Sequence, residues 1–445
     1  PWAIAVHRFL GGLALWFTAV HLVALWLDGY ISFGLADLLV PLASDYRPWA
    51  VALGIVGLYL LLAIQGTALL MRRLPAGLWR TVHLSAFGVF WIAELHGLSL
   101  ATLAYAPSEG LPQAREAWSA FFASWDIGFA SDEILVTAGA SEALTFILTI
   151  VAGGGGEVLV FEPCYTNYLS FAAQADVTMV PITLKVEDGY HFGSIDRLRA
   201  CVTPNTKAIL LCNPSNPTGT VYTAEELEAI AQVAVENDLF VICDEVYREF
   251  VFDGGTPRSF TQFRDLAQRI IVIDSVSKRF NACGVRIGCM ATHNREILDV
   301  ALRFCQARLS VPTAEQLMVV PMLENGRAYS ESLCGEYESR RDAVFNGLAR
   351  IDGVSPHRSE GSFYTMTRLP IDSCEEYAVF LLKDFELNGE TVCLAPGEGF
   401  YVTEGLGVDE VRVAFMYDSN TLDRAMNILD ASVAAYPGRL AAVTK

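Results

Sequence analysis

The first 104 residues contain no lysine and no cysteine. They carry five arginines and four acidic residues, a balance of +1, although the whole 445-residue chain carries −19. Residues 105–445 therefore hold the entire negative excess, with 26 basic and 46 acidic side chains. An acidic body of this kind argues against nucleic-acid binding and suits an enzyme that acts on small molecules.

Cysteine pairs are also missing. All ten cysteines lie beyond residue 104 at scattered spacings, without a Cys-x-x-Cys motif. This pattern argues against zinc sites and disulfide frameworks, and it is typical of reduced thiols in a cytosolic protein. We therefore expect residues 105–445 to be a cytoplasmic enzyme.

Charge is absent from two long apolar runs near the start of the chain. Phe9–Leu27 has 19 uncharged residues and Trp49–Met71 has 23. Each is long enough to cross a bilayer core of ~30 Å at ~1.5 Å per residue. A third run, 79–103, is largely apolar but carries His83, Glu94 and His96. The sequence thus predicts three transmembrane helices in residues 1–104 and a membrane location.

Four histidines fall on the first and third of these predicted helices. His7 and His21 are 14 residues apart, and His83 and His96 are 13 apart. Because four helical turns take ~14.4 residues, each pair lies near one face of its helix. In an up-down-up bundle His7 would be level with His83, and His21 with His96. Two stacked sites, each with two imidazoles for an iron, are one interpretation; interfacial or packing histidines are the other.

This segment resembles the transmembrane family of ferric reductases and NADPH oxidases over ~100 residues. The resemblance implies haem b on the two histidine pairs, and hence electron transfer in a membrane. The three arginines of 72–80 predict that this loop is cytoplasmic. The third helix would then deliver residue 105 to the outside, where a cofactor-dependent enzyme is not expected. The conflict favours a further interpretation, in which two unrelated segments are joined.

Beyond residue 104 short β-rich runs alternate with helical stretches. Five apolar runs read as buried strands: 133–137, 157–161, 208–212, 240–243 and 269–273. Such alternation predicts an α/β fold with a mostly parallel, seven-stranded-type sheet. We assign a large domain to 105–325, a smaller α+β domain to 326–437 that begins near a long charged helix, and a tail to 438–445.

Polar residues follow these strands, where the sites of parallel sheets form. Asp244 ends a buried run, and a buried carboxylate requires a partner such as a protonated pyridine nitrogen. Lys278 follows the next strand, where an amine can form an imine and move a proton. Ser275 and Arg286 flank the lysine and would bind a phosphate, the arginine through its planar fork. In this order and spacing the elements predict a pyridoxal phosphate pocket.

Further residues complete that pocket. Ala140 and Ser141 begin a helix after a strand, an arrangement that binds anions, although small residues at a tight turn are the alternative. Tyr165 could stack on a flat ring. Asn216, on a proline-fixed turn, and Tyr247 could both donate to a phenolate oxygen.

Residues 105–437 resemble the class I/II aminotransferases of fold type I. The resemblance implies that Lys278 is the Schiff-base lysine and that the other residues above hold the cofactor. It adds Arg412, in Val411-Arg-Val-Ala-Phe415, as the group that binds the substrate carboxylate together with Asn216. It also adds Tyr105, which would reach the phosphate in a second subunit, and so implies a homodimer.

The expected reaction is ping-pong transfer of an amino group from an L-amino acid to a 2-oxo acid. Two alternatives remain open: a lyase on the same fold, and a membrane haem protein with the enzyme domain as an inactive passenger. Members of the family carry some sixty or more residues before the position of Tyr105, which are replaced here by apolar helices. Some aspartate-selective relatives have a lysine where Ser141 stands, so preference for a dicarboxylic donor is not predicted.

Overall fold

The computed structural model describes residues 2–27, 33–70, 73–100 and 105–440, and the chain forms two compact units, Pro1–Ala104 and Tyr105–Lys445. The helices described in the first unit are α1 (Trp2–Trp26), α2 (Leu35–Leu39), α3 (Pro48–Leu69), α4 (Ala76–Leu84) and α5 (Ala86–Leu100).

The first unit differs from the predicted three spans. Among the described residues, Pro48–Leu69 is the one helix that is both long and apolar enough to cross a membrane, so three spans are not confirmed. The predicted third helix is divided at Ser85 into α4 and α5. The Ser85 hydroxyl donates to the carbonyl of Val82 at 2.6 Å, and such a bond competes with regular helix bonding. Residues 101–103 of that prediction lie outside the described residues.

The second unit is built from alternating strands and helices. Its strands are β1 (Ile134–Thr137), β2 (Glu157–Glu162), β3 (Thr178–Thr183), β4 (Thr206–Cys212), β5 (Phe240–Asp244), β6 (Ile270–Ser275), β7 (Gly288–Ala291), β8 (Ser355–Pro356), β9 (Tyr364–Arg368), β10 (Ala395–Pro396) and β11 (Glu410–Ala414). Its helices are α6 (Pro112–Ala123), α7 (Ala140–Ala152), α8 (Asn167–Ala175), α9 (Ile195–Cys201), α10 (Ala224–Glu236), α11 (Val276–Arg279), α12 (Arg295–Arg308), α13 (Thr313–Glu324), α14 (Gly326–Leu348), α15 (Cys374–Lys383) and α16 (Ser419–Ala435).

Seven strands form the main sheet in the order β1-β7-β6-β5-β4-β2-β3. All neighbours pair in parallel except β7, which is antiparallel to both β1 and β6. The central strands are apolar and buried along their length, as expected when helices cover both faces of a parallel sheet. The predicted mostly parallel α/β sheet is confirmed, and the carboxyl ends of β4, β5 and β6 lie at one edge.

Local sequence explains where the covering helices begin. Thr223 precedes α10, and its hydroxyl accepts from the backbone N–H of Glu226 at 3.2 Å. The Glu226 carboxylate accepts in return from the N–H of Thr223 at 3.0 Å, which completes a capping box. The helix then buries an apolar stripe that includes Leu227, Ile230 and Val233, and this stripe packs it onto the sheet.

A second sheet of four strands follows, in the order β10-β11-β9-β8 with antiparallel pairing. Helices α14, α15 and α16 contribute to its core. Strand β11 carries Arg412, whose register partner on β9 is Met366. The predicted division of this unit at residues 325 and 326 stays a prediction; in the structure α13 ends at Glu324 and α14 begins at Gly326.

Candidate active site

A cavity of about 290 Å³ opens at the carboxyl edge of the main sheet. It brings together ten predicted site residues: Ala140, Ser141, Tyr165, Asn216, Asp244, Tyr247, Ser275, Lys278, Arg286 and Arg412. Tyr105, predicted to serve a second subunit, does not line this cavity and is 79% exposed. The sequence therefore identified most of one continuous pocket from residues spread over almost 300 positions.

The strands place the two central groups of the pocket. Strand β5 ends at Asp244 and the neighbouring β6 ends at Ser275, after which the single turn of α11 carries Lys278. Because β5 and β6 are parallel neighbours, both chain ends reach the same edge of the sheet. A carboxylate and an amine from adjacent strands thus face one cavity.

Asp244 is a buried carboxyl group with its own hydrogen bonds. Oδ2 accepts a 2.6 Å bond from the hydroxyl of Tyr168, and Oδ1 accepts a 3.4 Å bond from the backbone N–H of Val246. Burial raises the pKa of Asp244 to about 6, although the Tyr168 bond acts in the opposite direction. Burial removes the water that would stabilise the Asp244 carboxylate, and a cationic ring nitrogen would stabilise it instead.

Small residues and an arginine shape the end of the cavity near α7. Gly139 has φ +79°, and a Cβ built there would lie 2.5 Å from Nη2 of Arg286. The first residues of α7, Ala140 and Ser141, present the N-terminus of a 13-residue helix to the same space. A helix N-terminus and a guanidinium both favour an anion, so a phosphate group fits here.

The Ser275 hydroxyl, predicted to bind the phosphate, is already hydrogen-bonded within the protein. Its Oγ donates a 3.0 Å bond to the carbonyl of Ile287 and accepts from the N–H of Ser277, which caps α11. Ser277 also lines the cavity, and its Oγ lies 2.8 Å from that of Ser275. The two hydroxyls thus form one polar corner beside Lys278.

Arg412 reaches the cavity from the second sheet. Its Nη1 donates a 3.0 Å hydrogen bond to Oδ1 of Asn216. The guanidinium carbon lies 4.3 Å from the ring centre of Tyr364 and 4.9 Å from that of Phe400. In the part of the chain that the structure describes, its buried Nε has no hydrogen-bond partner. A held guanidinium with a spare donor fits a carboxylate.

Two tyrosines predicted to contact the cofactor also have partners in the protein. The Tyr165 hydroxyl accepts a 2.8 Å bond from Nδ2 of Asn167, and its ring packs edge-on against Tyr168 at 5.4 Å. Tyr247 is buried, with its ring 6.0 Å from that of Tyr364. Both lie in the cavity wall, where an aromatic face and a hydroxyl are available.

Seven lining residues were not predicted: Leu144, Tyr168, Cys212, Val246, Ser277, Cys283 and Tyr364. Tyr168 lies three residues after Tyr165, and a turn closed by the 2.9 Å bond from its N–H to the Tyr165 carbonyl brings both rings to the cavity. Tyr364 comes from β9, and nothing in its local sequence links it to the site.

Part of the predicted histidine arrangement is present in the first unit. The rings of His21 and His96 lie 6.4 Å apart at 80°, and Nδ1 of His96 is 2.8 Å from the carbonyl oxygen of Ala50. They share an apolar cavity of about 640 Å³ between α1, α3 and α5. His83 lies in α4, and the side chain of His7 lies outside the described part of the chain, so their pairing stays a prediction.

Comparison with known proteins identifies the second unit. The aminotransferase class I and II family model matches residues 91–429. The aspartate aminotransferase of Bacillus sp. (strain YM-2) is 28% identical over 339 residues, which cover 74% of this chain and 83% of the relative. The aspartate/prephenate aminotransferase of Thermus thermophilus is 29% identical over 327 residues, covering 72% and 81%.

Solved structures of aminotransferases are also similar to this chain. The N-succinyldiaminopimelate aminotransferase from Mycobacterium tuberculosis superposes with a TM-score of 0.69 at 31% identity, covering 74% of this chain and 85% of that one. The chain belongs to the class I and II aminotransferase family. The predictions of a fold type I enzyme, of transaminase activity and of pyridoxal phosphate as its cofactor are confirmed.

Proposed function

We propose that the cavity around Lys278 carries out ping-pong amino transfer between an L-amino acid and a 2-oxo acid, with the residue roles that the sequence predicts. The observation that supports it most is the meeting of Lys278, Asp244 and Arg412 in one cavity. These are an amine, a buried carboxylate and a guanidinium from three separate segments of the chain.

The protein's groups divide the work. Nζ of Lys278 holds the cofactor, and after release it moves the proton from the substrate α-carbon. Asp244 pairs with the pyridine nitrogen, and Asn216 and Tyr247 donate to the phenolate oxygen. When bound, pyridoxal phosphate supplies an electron sink for the substrate α-carbon.

The remaining predicted residues bind and orient. The phosphate would lie on the N–H groups at Ala140 and Ser141, beside Ser275 and Arg286. Tyr165 would cover the ring face, which places the reacting carbon beside Lys278.

Arg412 favours amino transfer over decarboxylation in this proposal. Its guanidinium binds the substrate α-carboxylate. The 3.0 Å hydrogen bond from its Nη1 to Oδ1 of Asn216 holds the guanidinium in place. A carboxylate held in this way stays on the substrate, so the product is a 2-oxo acid and not a decarboxylated amine.

A homodimer is part of the proposal. Tyr105 is 79% exposed at the start of the second unit, where it is available to the phosphate site of a second copy. In a mixture of Tyr105→Phe and Lys278→Ala subunits, we expect activity from hybrid dimers that keep one intact composite site.

The first test is the visible absorbance spectrum of the purified chain, before and after addition of a panel of L-amino acids. The parent should show a band from lysine-bound cofactor that shifts when a donor is added. Lys278→Ala should lose this band, whereas Lys207→Ala, at an exposed position on β4, should keep it. A Lys278→Ala protein with the unchanged band would contradict the role of Lys278, and release of carbon dioxide would contradict transamination.

For the first unit we propose a second function, electron transfer through haem b held by His21 and His96 in a membrane-bound segment. The observation that favours it is that the two imidazole rings lie 6.4 Å apart and line one apolar cavity. These two side chains would hold the iron, which would supply one-electron transfer. The Ala50 carbonyl oxygen, 2.8 Å from Nδ1 of His96, would orient that ring.

Gly54 lets the His96 ring pack closely against α3, since a Cβ at that position would lie 2.6 Å from Cε1 of His96. A reduced-minus-oxidised difference spectrum of the membrane-extracted chain should show a haem b signal. His21→Ala and His96→Ala should abolish the signal and His293→Ala, in the second unit, should not. A parent chain with no haem signal would contradict this function and leave the aminotransferase proposal unaffected.

A further inference from the structure

Five charged side chains form a buried cluster behind the candidate active site. Their exposed fractions are 4% or less, and none of them lines the cavity. The members of this cluster, called here the buried ionic cluster, are Glu245, Arg248, Glu249, Asp274 and Arg279. Three carboxylates and two guanidinium groups leave it a formal charge of −1.

The two arginines share their acidic partners. Arg279 binds Glu249 at 2.8 Å and Asp274 at 2.9 Å, and its Nη1 also donates to the carbonyl of Ser275 at 3.0 Å. Arg248 binds Glu249 at 2.7 Å and Asp274 at 3.1 Å. The planar forks thus tie the segment 245–249 to the segment 274–279 with several bonds each, which a lysine could not do with one ammonium group.

Arg279 and Glu245 are the members next to the two central cofactor groups. Arg279 directly follows Lys278 on α11, and Glu245 directly follows Asp244 at the end of β5. The Glu245 carboxylate binds Nη1 of Arg248 at 2.9 Å and accepts from the N–H of Phe260 at 3.0 Å. The segments that present the amine and the carboxylate are therefore joined behind the cavity.

Two of the other members repeat this relationship. Arg248 follows Tyr247, and Asp274 precedes Ser275. The Asp274 carboxylate also accepts the backbone N–H of Ser275 at 2.6 Å. Four cofactor-site residues in sequence order therefore each have a cluster member as an immediate chain neighbour.

Stability alone does not account for such a cluster. Removing several charges from water is costly. Apolar residues of similar volume often give a protein an equal or higher free energy of unfolding. Bidentate hydrogen bonds from a guanidinium fix the relative orientation of two chain segments, and apolar packing does not. The cluster lies where direction matters, because the cofactor must be held at both ends of its ring.

We propose that Arg279 and Glu249 are positioning residues that fix Lys278 on α11 at its working separation from Asp244 on β5. The inference rests on the proposed roles of Lys278 and Asp244. It adds that the ion pair behind α11 sets how readily Nζ reaches the cofactor. A displacement of about 1 Å at a reacting group can slow a reaction ~100-fold.

The test measures attachment of pyridoxal phosphate to cofactor-free protein by stopped-flow absorbance, together with the pH at which the visible band of the bound cofactor is half-titrated. Arg279→Lys keeps the charge and loses the fork, so attachment should slow at least about tenfold and the half-titration pH should shift. The matched control is Arg341→Lys. Arg341 is 2% exposed and pairs with Asp253 at 2.7 Å and Asp342 at 2.8 Å, away from the cavity. It should leave both readouts at parent values.

A second variant separates positioning from folding. Arg279→Met with Glu249→Met removes the pair together, so a well-folded protein is expected even where one substitution alone would strand a buried charge. Attachment should still slow at least about tenfold. Parent-like attachment and titration in this double variant would overturn the proposal. If the parent itself does not attach pyridoxal phosphate, the role of Lys278 fails instead, and the two failures are therefore distinguishable.

Discussion

The hydroxyl of Tyr168 donates a 2.6 Å hydrogen bond to Oδ2 of Asp244, across 76 residues of sequence. Both side chains are buried. The bond favours the ionised form of a carboxyl group whose pKa burial raises to about 6. Tyr168 on α8 therefore helps to keep Asp244 charged at neutral pH.

Tyr168→Phe should raise the pKa of Asp244 further and weaken binding of pyridoxal phosphate at neutral pH by about tenfold, since a hydrogen bond to a charged group contributes ~1.5–3 kcal/mol. Cofactor affinity should increase with pH through the Asp244 pKa, and the midpoint should move upward in the variant. Titrations with pyridoxal phosphate on both sides of about pH 6 measure this.

Tyr190→Phe is the matched control for that substitution. Tyr190 is equally buried and donates to Glu410 at 3.4 Å, outside the cavity. It should leave cofactor affinity unchanged. Equal affinity and an equal pH midpoint in parent and Tyr168→Phe would show that Asp244 does not depend on the tyrosine.

Gly139→Ala should weaken cofactor binding at least about tenfold, since it would displace a charge-assisted phosphate contact of ~1.5–3 kcal/mol. The added Cβ would meet Nη2 of Arg286 at 2.5 Å. Gly154→Ala provides the control because Gly154 has nearly the same φ, +80° against +79°, with nothing within 4 Å of the added carbon. Both variants share the backbone strain, so a similar loss of affinity in both would rule out the Arg286 contact as its cause.

Sequence predicted the second unit well where a physical signal was strong. Strands β1, β2, β4, β5 and β6 are apolar runs, and they were placed within a residue or two. Strand β3, Thr178–Thr183, is an edge strand with a proline and partly exposed positions, and β7 is Gly-Cys-Met-Ala without a β-branched residue. Strand β7 lacks the composition of a strand, and β3 is rich in β-branched residues but is interrupted by Pro181. Pairing with neighbouring strands decides both.

The site shows the same limit. Lys278, Asp244 and Arg286 follow strands and could be placed from chain order alone. The Tyr168–Asp244 bond and the partners of Arg279 depend on how distant segments pack, which local sequence does not record. In the first unit, apolar length predicted three spans, but the third is divided at Ser85, whose hydroxyl bonds the Val82 carbonyl.

His191 should make stability fall with rising pH. Hydrogen bonds to Glu226 and then Glu360 raise its pKa from 6.5 to about 10. The folded state therefore binds more protons than the unfolded state between these values. This stabilisation is complete below about pH 6.5 and is lost as pH rises through about 10.

Urea unfolding of the parent and His191→Gln measures the effect. The difference in free energy of unfolding between them should shrink steadily from about pH 6.5 to about pH 10. Glu360→Gln removes one partner of His191, 3.6 Å from its Nε2. This variant should narrow the pH range over which the difference in free energy of unfolding changes. A difference that is constant over this range would mean that His191 contributes by packing and not by its charge.

Glu162 should anchor the segment that carries Phe400 beside Arg412. This wholly buried carboxylate ends β2 and accepts four bonds, from the N–H groups of Val402 and Thr403 at 2.7 and 3.0 Å and from the hydroxyls of Thr183 and Thr403 at 2.6 and 2.7 Å. Two residues before Val402, Phe400 packs its ring 4.9 Å from the guanidinium of Arg412.

Glu162→Gln replaces an acceptor oxygen with a donor, so at least one bond is lost and stability should fall by about 1.5–3 kcal/mol. Because Phe400 then loses its anchor, Arg412 should hold the substrate carboxylate less firmly. We expect a KM for the amino donor several-fold above the parent value, with a smaller change in kcat. Glu157→Gln, at the opposite end of the same strand, should leave KM unchanged. If Glu162→Gln lowers the unfolding temperature but leaves KM at the parent value, the anchor serves the fold and not Arg412.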